Sequence, residues 1–233
     1  MPADTGTGFA LALSVTLRVG GAVAVVVVLL PVVALAQTGG TDEERCRTYT
    51  PITSAERVTW VVRGTVSVPA VGVGVFNSAW MTESNWPKEW HQNWRGFSRR
   101  YADGAAAGSI ANSIEAGLGG FWGEDPRYVR SGRHGTWTRL RYAATTVALA
   151  PRRDGHLAPA WGRLAGNVIG NVIENSWLPP SVTTRGETTV RVADGLAARL
   201  VANLWEEFWP DLRQRLASHT RRSLARTHEV YSR

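Results

Sequence analysis

The stretch Trp161-Gly162-Arg163-Leu164-Ala165-Gly166-Asn167-Val168-Ile169-Gly170-Asn171 decides the fold. Gly162, Gly166 and Gly170 recur every fourth residue, a spacing that keeps them near one face of an α-helix. Their missing side chains leave a groove into which a second helix backbone settles. Each glycine costs a helix about 1 kcal/mol relative to alanine, so such a glycine zipper persists only where tight packing offsets the loss. A second row, Gly104, Gly108, Asn112, Ala116 and Gly120, has the same spacing. Two helices, Phe97 to Trp122 and Pro159 to Trp177, are therefore predicted to cross closely.

Working outward, Thr53 followed three positions later by Glu56 is a capping box, and a helix is expected from there to about Met81. Pro69, Gly72 and Gly74 weaken it, and the near alternation of Val66, Val68, Val71, Val73 and Val75 makes a strand the competitor. Helix is preferred because no second alternating segment exists to pair with it. Glu83 to Arg95, with Pro87 and three tryptophans, reads as a loop or short interfacial turn, and Gly123 to Gly135 as a basic loop. A third helix is expected over Thr136 to Ala150, closed by the turn chemistry of Pro151-Arg152-Arg153-Asp154-Gly155. The fourth starts with Pro159 in its first turn, where the missing N–H costs nothing, and stops at Pro179-Pro180. The fifth runs from Glu187 to Trp209 and is bent or broken at Pro210. The fold class is all-α: a single Gly/Ala-rich domain of about five helices over residues 53–210.

The amino terminus sets the expected compartment. Val19 to Ala36 is an uncharged run preceded by Arg18 and closed by Ala34-Leu35-Ala36, the small-residue ending of a cleaved export signal. Residues 1–36 are read as a signal peptide, an uncleaved anchor being the rival, and 37–52 as a flexible leader. The one cysteine, Cys46, follows Glu43-Glu44-Arg45 rather than the apolar run, and a single thiol forms neither an internal disulfide nor a metal site. The net charge of +7 is almost all arginine, Lys88 being the only lysine. Export to periplasm or outer membrane and cell envelope argues against nucleic acid and cytosolic cofactors, so a membrane lipid surface is the expected partner and no cofactor is expected. The Gly-rich faces also permit a homo-oligomer. The tail, residues 211–233, sets Leu212, Leu216 and Leu224 among Arg213, Arg215, Arg221, Arg222 and Arg226, a basic amphipathic helix suited to anionic lipid.

Polar residues recur on the apolar helices. Asn112 and Glu115, Asn171 and Glu174, and Asn203 and Glu206 are each three apart, so each pair shares a helix face. They form a candidate polar cluster, read either as a carboxylate-based enzyme site or as a hydrogen-bonded network, the latter preferred because no histidine stands at the spacing that bundle metal sites use. Glu124, Asp125 and Arg127 form a candidate loop site, with turn formation the plainer reading. No catalytic motif is present: no G-x-S-x-G, H-E-x-x-H, C-x-x-C or phosphate loop.

Tryptophans bracket the apolar segments, Trp60 with Trp80, Trp94 with Trp122 and Trp161 with Trp177, as a membrane–water interface selects. Arg57, Arg99, Arg100, Arg127, Arg130, Arg133, Arg139 and Arg141 crowd the same ends, where long side chains reach headgroups. Arg63, Arg163 and Arg199 fall in apolar stretches, which favours association with a membrane over spanning it.

Gly96-Phe97-Ser98-Arg99-Arg100-Tyr101, Glu115-Ala116-Gly117-Leu118-Gly119, Trp122-Gly123-Glu124-Asp125-Pro126-Arg127-Tyr128, Tyr142, Arg152-Arg153-Asp154-Gly155 and Glu207-Phe208-Trp209-Pro210-Asp211 together resemble an uncharacterised family of exported bacterial proteins. Val129 stands where that family has phenylalanine. The resemblance implies a helical envelope domain and no particular chemistry. The functional expectation is a non-enzymatic, membrane-associated envelope protein; the alternatives are a periplasmic enzyme using the carboxylates and a soluble periplasmic bundle that binds an apolar ligand.

Overall fold

The computed structural model describes residues 12–19, 22–29, 49–133 and 135–231, with side chains described only within 49–214. The segment read as an export signal carries an antiparallel hairpin, β1 (Ala12–Val19) with β2 (Ala22–Leu29), Ala12 opposite Leu29. The expected cleavage point and most of the expected leader lie outside the described residues.

The body of the protein is all-α. Its helices are α1 (Ser54–Val66), α2 (Val68–Glu83), α3 (Trp94–Trp122), α4 (Thr136–Thr145), α5 (Trp161–Glu174) and α6 (Arg185–Tyr231). The expected capping box opens α1: Thr53 accepts from the Glu56 N–H, and Glu56 accepts from the Thr53 N–H at 2.8 Å. The expected first helix is a rod interrupted at Ser67, whose extended backbone closes α1 while its hydroxyl caps α2. Pro69 sits in the first turn of α2, where it lacks no bond the helix would make.

Three corrections concern element ends. The third helix stops at Thr145 rather than Ala150, because the hydroxyls of Thr145 and Thr146 bond back to the Tyr142 carbonyl and compete with the helix ladder. The residues freed there form β3 (Leu149–Pro151), paired antiparallel with β4 (Leu157–Pro159) around the expected turn, where Gly155 has φ +81° and Asp154 accepts from the His156 N–H. Pro159 is thus a strand end, not the first turn of α5. Pro210, finally, lies inside α6 without ending it. Arg139 of α4 grips α6 through Glu207 and Asp211, on both sides of the proline, so the missing backbone bond is bridged from outside.

The closest helix pairing is α3 against α5, antiparallel, as expected from the glycine zipper. A Cβ added at Gly166 would lie 2.7 Å from the Ala111 oxygen and 3.0 Å from the Glu115 nitrogen, and one at Gly162 would lie 2.8 Å from the Gly119 nitrogen. The row on α3 that meets α5 is therefore Ala111, Glu115 and Gly119. The expected row lies one residue round and turns instead toward α1: Asn112 fills the space over Gly64, Ala116 and Gly120 meet Arg57, and Gly104 and Gly108 face open space. Helix α6 then packs on an adjacent face of α5, with Gly195 against Asn167.

The packing has an inverted polarity. The buried apolar side chains are small or few: Ala116, Tyr142, Ala143, Val147, Ala150, Ala160 and Val182. Arg100, Glu115, Glu124, Asp125, Arg163, Glu174, Asn203 and Glu207 are buried among them. Large apolar residues face outward instead: Val62, Val66, Val73 and Phe76 on α1 and α2, Val168, Ile169, Val172 and Ile173 on α5, and Val201 and Trp205 on α6.

Two alanine substitutions separate tight from open glycines. Gly166→Ala forces helix backbones apart and is expected to cost about 1–3 kcal/mol or more, whereas Gly104→Ala meets nothing and is expected to stabilise by up to about 1 kcal/mol. Thermal midpoints of the purified variants check both signs.

Candidate functional site

The interior is organised by arginines, each bound to carboxylates or carbonyls from several elements. At the centre, Arg163 of α5 donates through Nε to Glu115 of α3 at 2.9 Å and through its terminal nitrogens to the carbonyls of Thr146, Val147, Leu149 and Pro126. Arg199 of α6 reaches the same Glu115 at 3.6 Å and donates to the Pro126 carbonyl. One carboxylate thus lies between two guanidiniums. Burial, and then the neighbouring Arg163, bring Arg199 down to about 10, so it stays charged at neutral pH. The three groups clamp α3, α5 and α6 to the loop after α3. The arginines that fall in apolar sequence at 163 and 199 thus point inward; Arg63 remains exposed.

Glu124 and Asp125 are buried beside this centre. Glu124 accepts from the backbone N–H groups of Trp161 at 3.1 Å and Gly162 at 2.8 Å, so its carboxylate supplies the cap that Ala160 lacks at the positive end of α5. Asp125 accepts from Tyr49 Oη at 2.7 Å and from the Arg127 side chain, and its N–H donates to Pro151. Desolvation and then the Asp125 hydrogen bond push the Tyr49 hydroxyl far above its usual range, so it is a donor at any working pH. The expected loop site is therefore real as a juxtaposition, but every carboxylate oxygen in it is engaged in holding chain.

The expected polar cluster is not one site. Glu115 binds Arg163. Asn112 lies over Gly64 on α1. Glu174 pairs with Arg191 at 3.2 Å near the other end of α5, and Asn171 bonds back to Asn167 on its own helix. Asn203 is buried and donates to Ala143 and Thr146, whereas Glu206, three residues on, is exposed. The spacing rule puts both on one broad face, but only the Asn203 edge of that face touches α4. Among the described residues no three His, Cys, Asp or Glu side chains form a metal-ligating group.

Two buried groups were missed. Glu207 accepts from Tyr128 Oη at 2.8 Å, Ser131 N at 3.0 Å, Ser131 Oγ at 2.6 Å and Arg139 Nε at 2.7 Å. Burial acts to raise its pKa, and the donors from Ser131, Arg139 and Tyr128 outweigh that, leaving it below the usual range. Arg100 donates to the carbonyls of Trp86, Pro87 and His91, folding the loop after α2 onto α3. Each stands next to an exposed residue of like charge, Glu206-Glu207 and Arg99-Arg100, and the step of about 100° between neighbours on a helix turns one of each pair inward here. Arg100 and Arg139 thus correct the reading of end arginines as headgroup-reaching.

Two openings exist among these groups. The space between Tyr128, Tyr142, Arg163, Arg199 and Asn203 has no room for a water molecule. A larger cavity, about 230 Å³, lies between Tyr49, Arg57, Gly120, Gly123 and Arg153.

Removing the Glu207 carboxylate takes the acceptor from the buried Ser131 N–H and hydroxyl and from Tyr128, while Arg139 keeps Asp211, so Glu207→Ala is expected to lose about 3 kcal/mol, read by denaturant unfolding. Glu174 gives a pH signature. Burial, and then Asp103, raise it to about 7 from its ordinary 4.5. The stability it contributes is fully present below 4.5 and lost as pH rises through about 7. Glu174→Gln, whose amide oxygen still accepts from Arg191, is expected to flatten that fall in the melting temperature between pH 4.5 and 8. Comparison of the chain with known protein families, with curated proteins and with solved structures finds no match.

Proposed function

We propose that this is an exported, non-enzymatic protein of the cell envelope, held at a membrane by the outward apolar surface of its helices. The observation that carries the reading is the inverted polarity: arginines and carboxylates inside, valine, isoleucine and tryptophan outside. A monomer in water rarely exposes large contiguous apolar patches, and lipid removes the penalty for doing so. The residues 54–83 are also long and apolar enough, by length and composition, to cross a bilayer, with none of that apolar window buried in the protein.

The tryptophan levels support it further. Trp122 and Trp161 lie at one end of the α3–α5 pair and Trp177 at the far end of α5, where its indole donates to Asp103 of α3, all three exposed. The helix α5 that separates Trp161 from Trp177 is about 20 Å long at the helical rise, with Val168, Ile169, Val172 and Ile173 exposed between them. Interfacial aromatic rings bracketing an apolar band are what a bilayer edge favours. Arg63, exposed on α1 between Val62 and Val66, is the reason to set the domain against the membrane rather than across it, since a central arginine costs about 2.5–3.5 kcal/mol.

A structural role fits the chemistry of the interior. Its carboxylates are dispersed over separate arginine clamps and do not converge on a common cavity, and the 230 Å³ cavity meets the small-residue row of α3 only at its end, Gly120. Fractionation of the source cells tests the reading. The mature chain is expected in the membrane fraction, retained through a high-salt wash and released by detergent; full recovery in the low-salt soluble fraction overturns it.

A further inference from the structure

The cavity between the start of α1 and the end of α3 has the chemistry of a phosphate site. It is about 230 Å³ and lined by Tyr49, Ile52, Ser54, Arg57, Gly120 and Arg153 among others. Arg57 is held in place from behind: its terminal nitrogens donate to the Ala116 and Glu124 carbonyls. Burial lowers its pKa somewhat without a carboxylate bonded to it, and Asp125 acts the other way only through space. Arg153 reaches the same cavity across Gly123, whose φ of +75° closes α3 and whose absent side chain gives the arginine stem its path, 3.4 Å from where a Cβ would stand. Arg153 is exposed, and among the described residues no carboxylate pairs with it. Of the nearby acids, Asp125 is engaged by Arg127 and Tyr49, Glu56 by Thr53 and Arg127, and Glu124 by the start of α5. Two guanidiniums thus face one hollow with the local carboxylates committed elsewhere.

The place of the hollow says where the phosphate comes from. Between the lining residues Gly120 and Gly123 the chain carries Phe121, 84 % exposed, and Trp122, also exposed, at the end of α3. We propose that this cavity holds the phosphate of an anionic lipid headgroup between Arg57 and Arg153, with Phe121 among the chains beside it. The proposal rests on the membrane reading for the source of the phosphate, and on the cavity alone for its chemistry.

Arg57 also holds backbone, so the decisive substitution is Arg153→Gln, which keeps the stem across Gly123 and removes the charge. Arg141→Gln, removing another exposed charge outside the cavity lining, controls for general attraction. Full-length protein is floated with vesicles of phosphatidylcholine and of phosphatidylcholine with one quarter phosphatidylglycerol. Wild type is expected to prefer the anionic vesicles, Arg153→Gln to lose about fivefold of that preference, Arg141→Gln to lose clearly less, and neutral flotation to be unchanged. Equal losses in the two variants, or none in Arg153→Gln, overturn the proposal and leave the membrane reading standing. If nothing floats on either vesicle, the membrane reading and the lipid source fall together. Melting with glycerol 3-phosphate then decides the cavity: a saturable rise lost in Arg153→Gln assigns it to a soluble phosphate ester, and no rise overturns it.

Discussion

The approach of α3 to α5 over Gly162, Gly166 and Gly170 is the constraint on which the rest depends. Only with backbone against backbone there does Glu115 lie within reach of Arg163 across the pair and of Arg199 from the third helix. The same contact brings the first N–H groups of α5 to Glu124, which leaves α3 through the left-handed Gly123. Packing at the zipper therefore fixes electrostatics at both its middle and its end. A side chain at Gly166 would separate the carboxylate from its guanidiniums as well as the helices from each other. The cost of burying these charges is met by geometry, since an ion pair out of water is favourable only when its remaining donors and acceptors are also satisfied.

Arginine suits this interior where lysine would not. Arg163 meets a carboxylate and four carbonyls from the loop and hairpin with a planar set of donors, and Arg100 meets three carbonyls of one loop. The arginine preference seen in composition is thus partly structural: several of the residues that make the chain so basic are struts that hold loops to helices. Others, such as Arg153 and Arg141, remain on the surface and supply the field that an anionic layer would feel.

Much of the fold was legible, and the misses have a common cause. The capping box at Thr53, the zipper of α5 and the pairing of α3 with α5 follow from spacing alone. Which row of α3 faces α5 does not, because Gly104-Gly108-Asn112-Ala116 and Ala111-Glu115-Gly119 are a single residue apart, about 100° of helix, and both look small or polar. The same single step separates exposed Glu206 from buried Glu207. Spacing tells which residues share a face but not which neighbour that face meets. The hairpin at β3 and β4 was hidden by its length, three residues a strand, too short for any period to register. Of the candidate site, Glu124-Asp125-Arg127 was found as a group, but its work as a cap and a clamp depends on Tyr49, Trp161 and Pro151, which are distant in sequence.

The inverted polarity also bears on heat capacity. Unfolding a water-soluble domain raises heat capacity by about 12–15 cal/mol/K per residue, because fresh apolar surface is wetted. Here the large apolar side chains are already outside and polar groups are what opening would newly hydrate, which lowers the increment. The consequence is a flat stability curve: the folded state gains little from warming toward room temperature and loses little on chilling, since its cohesion comes from hydrogen-bonded charge and close backbone contact rather than from expelled water.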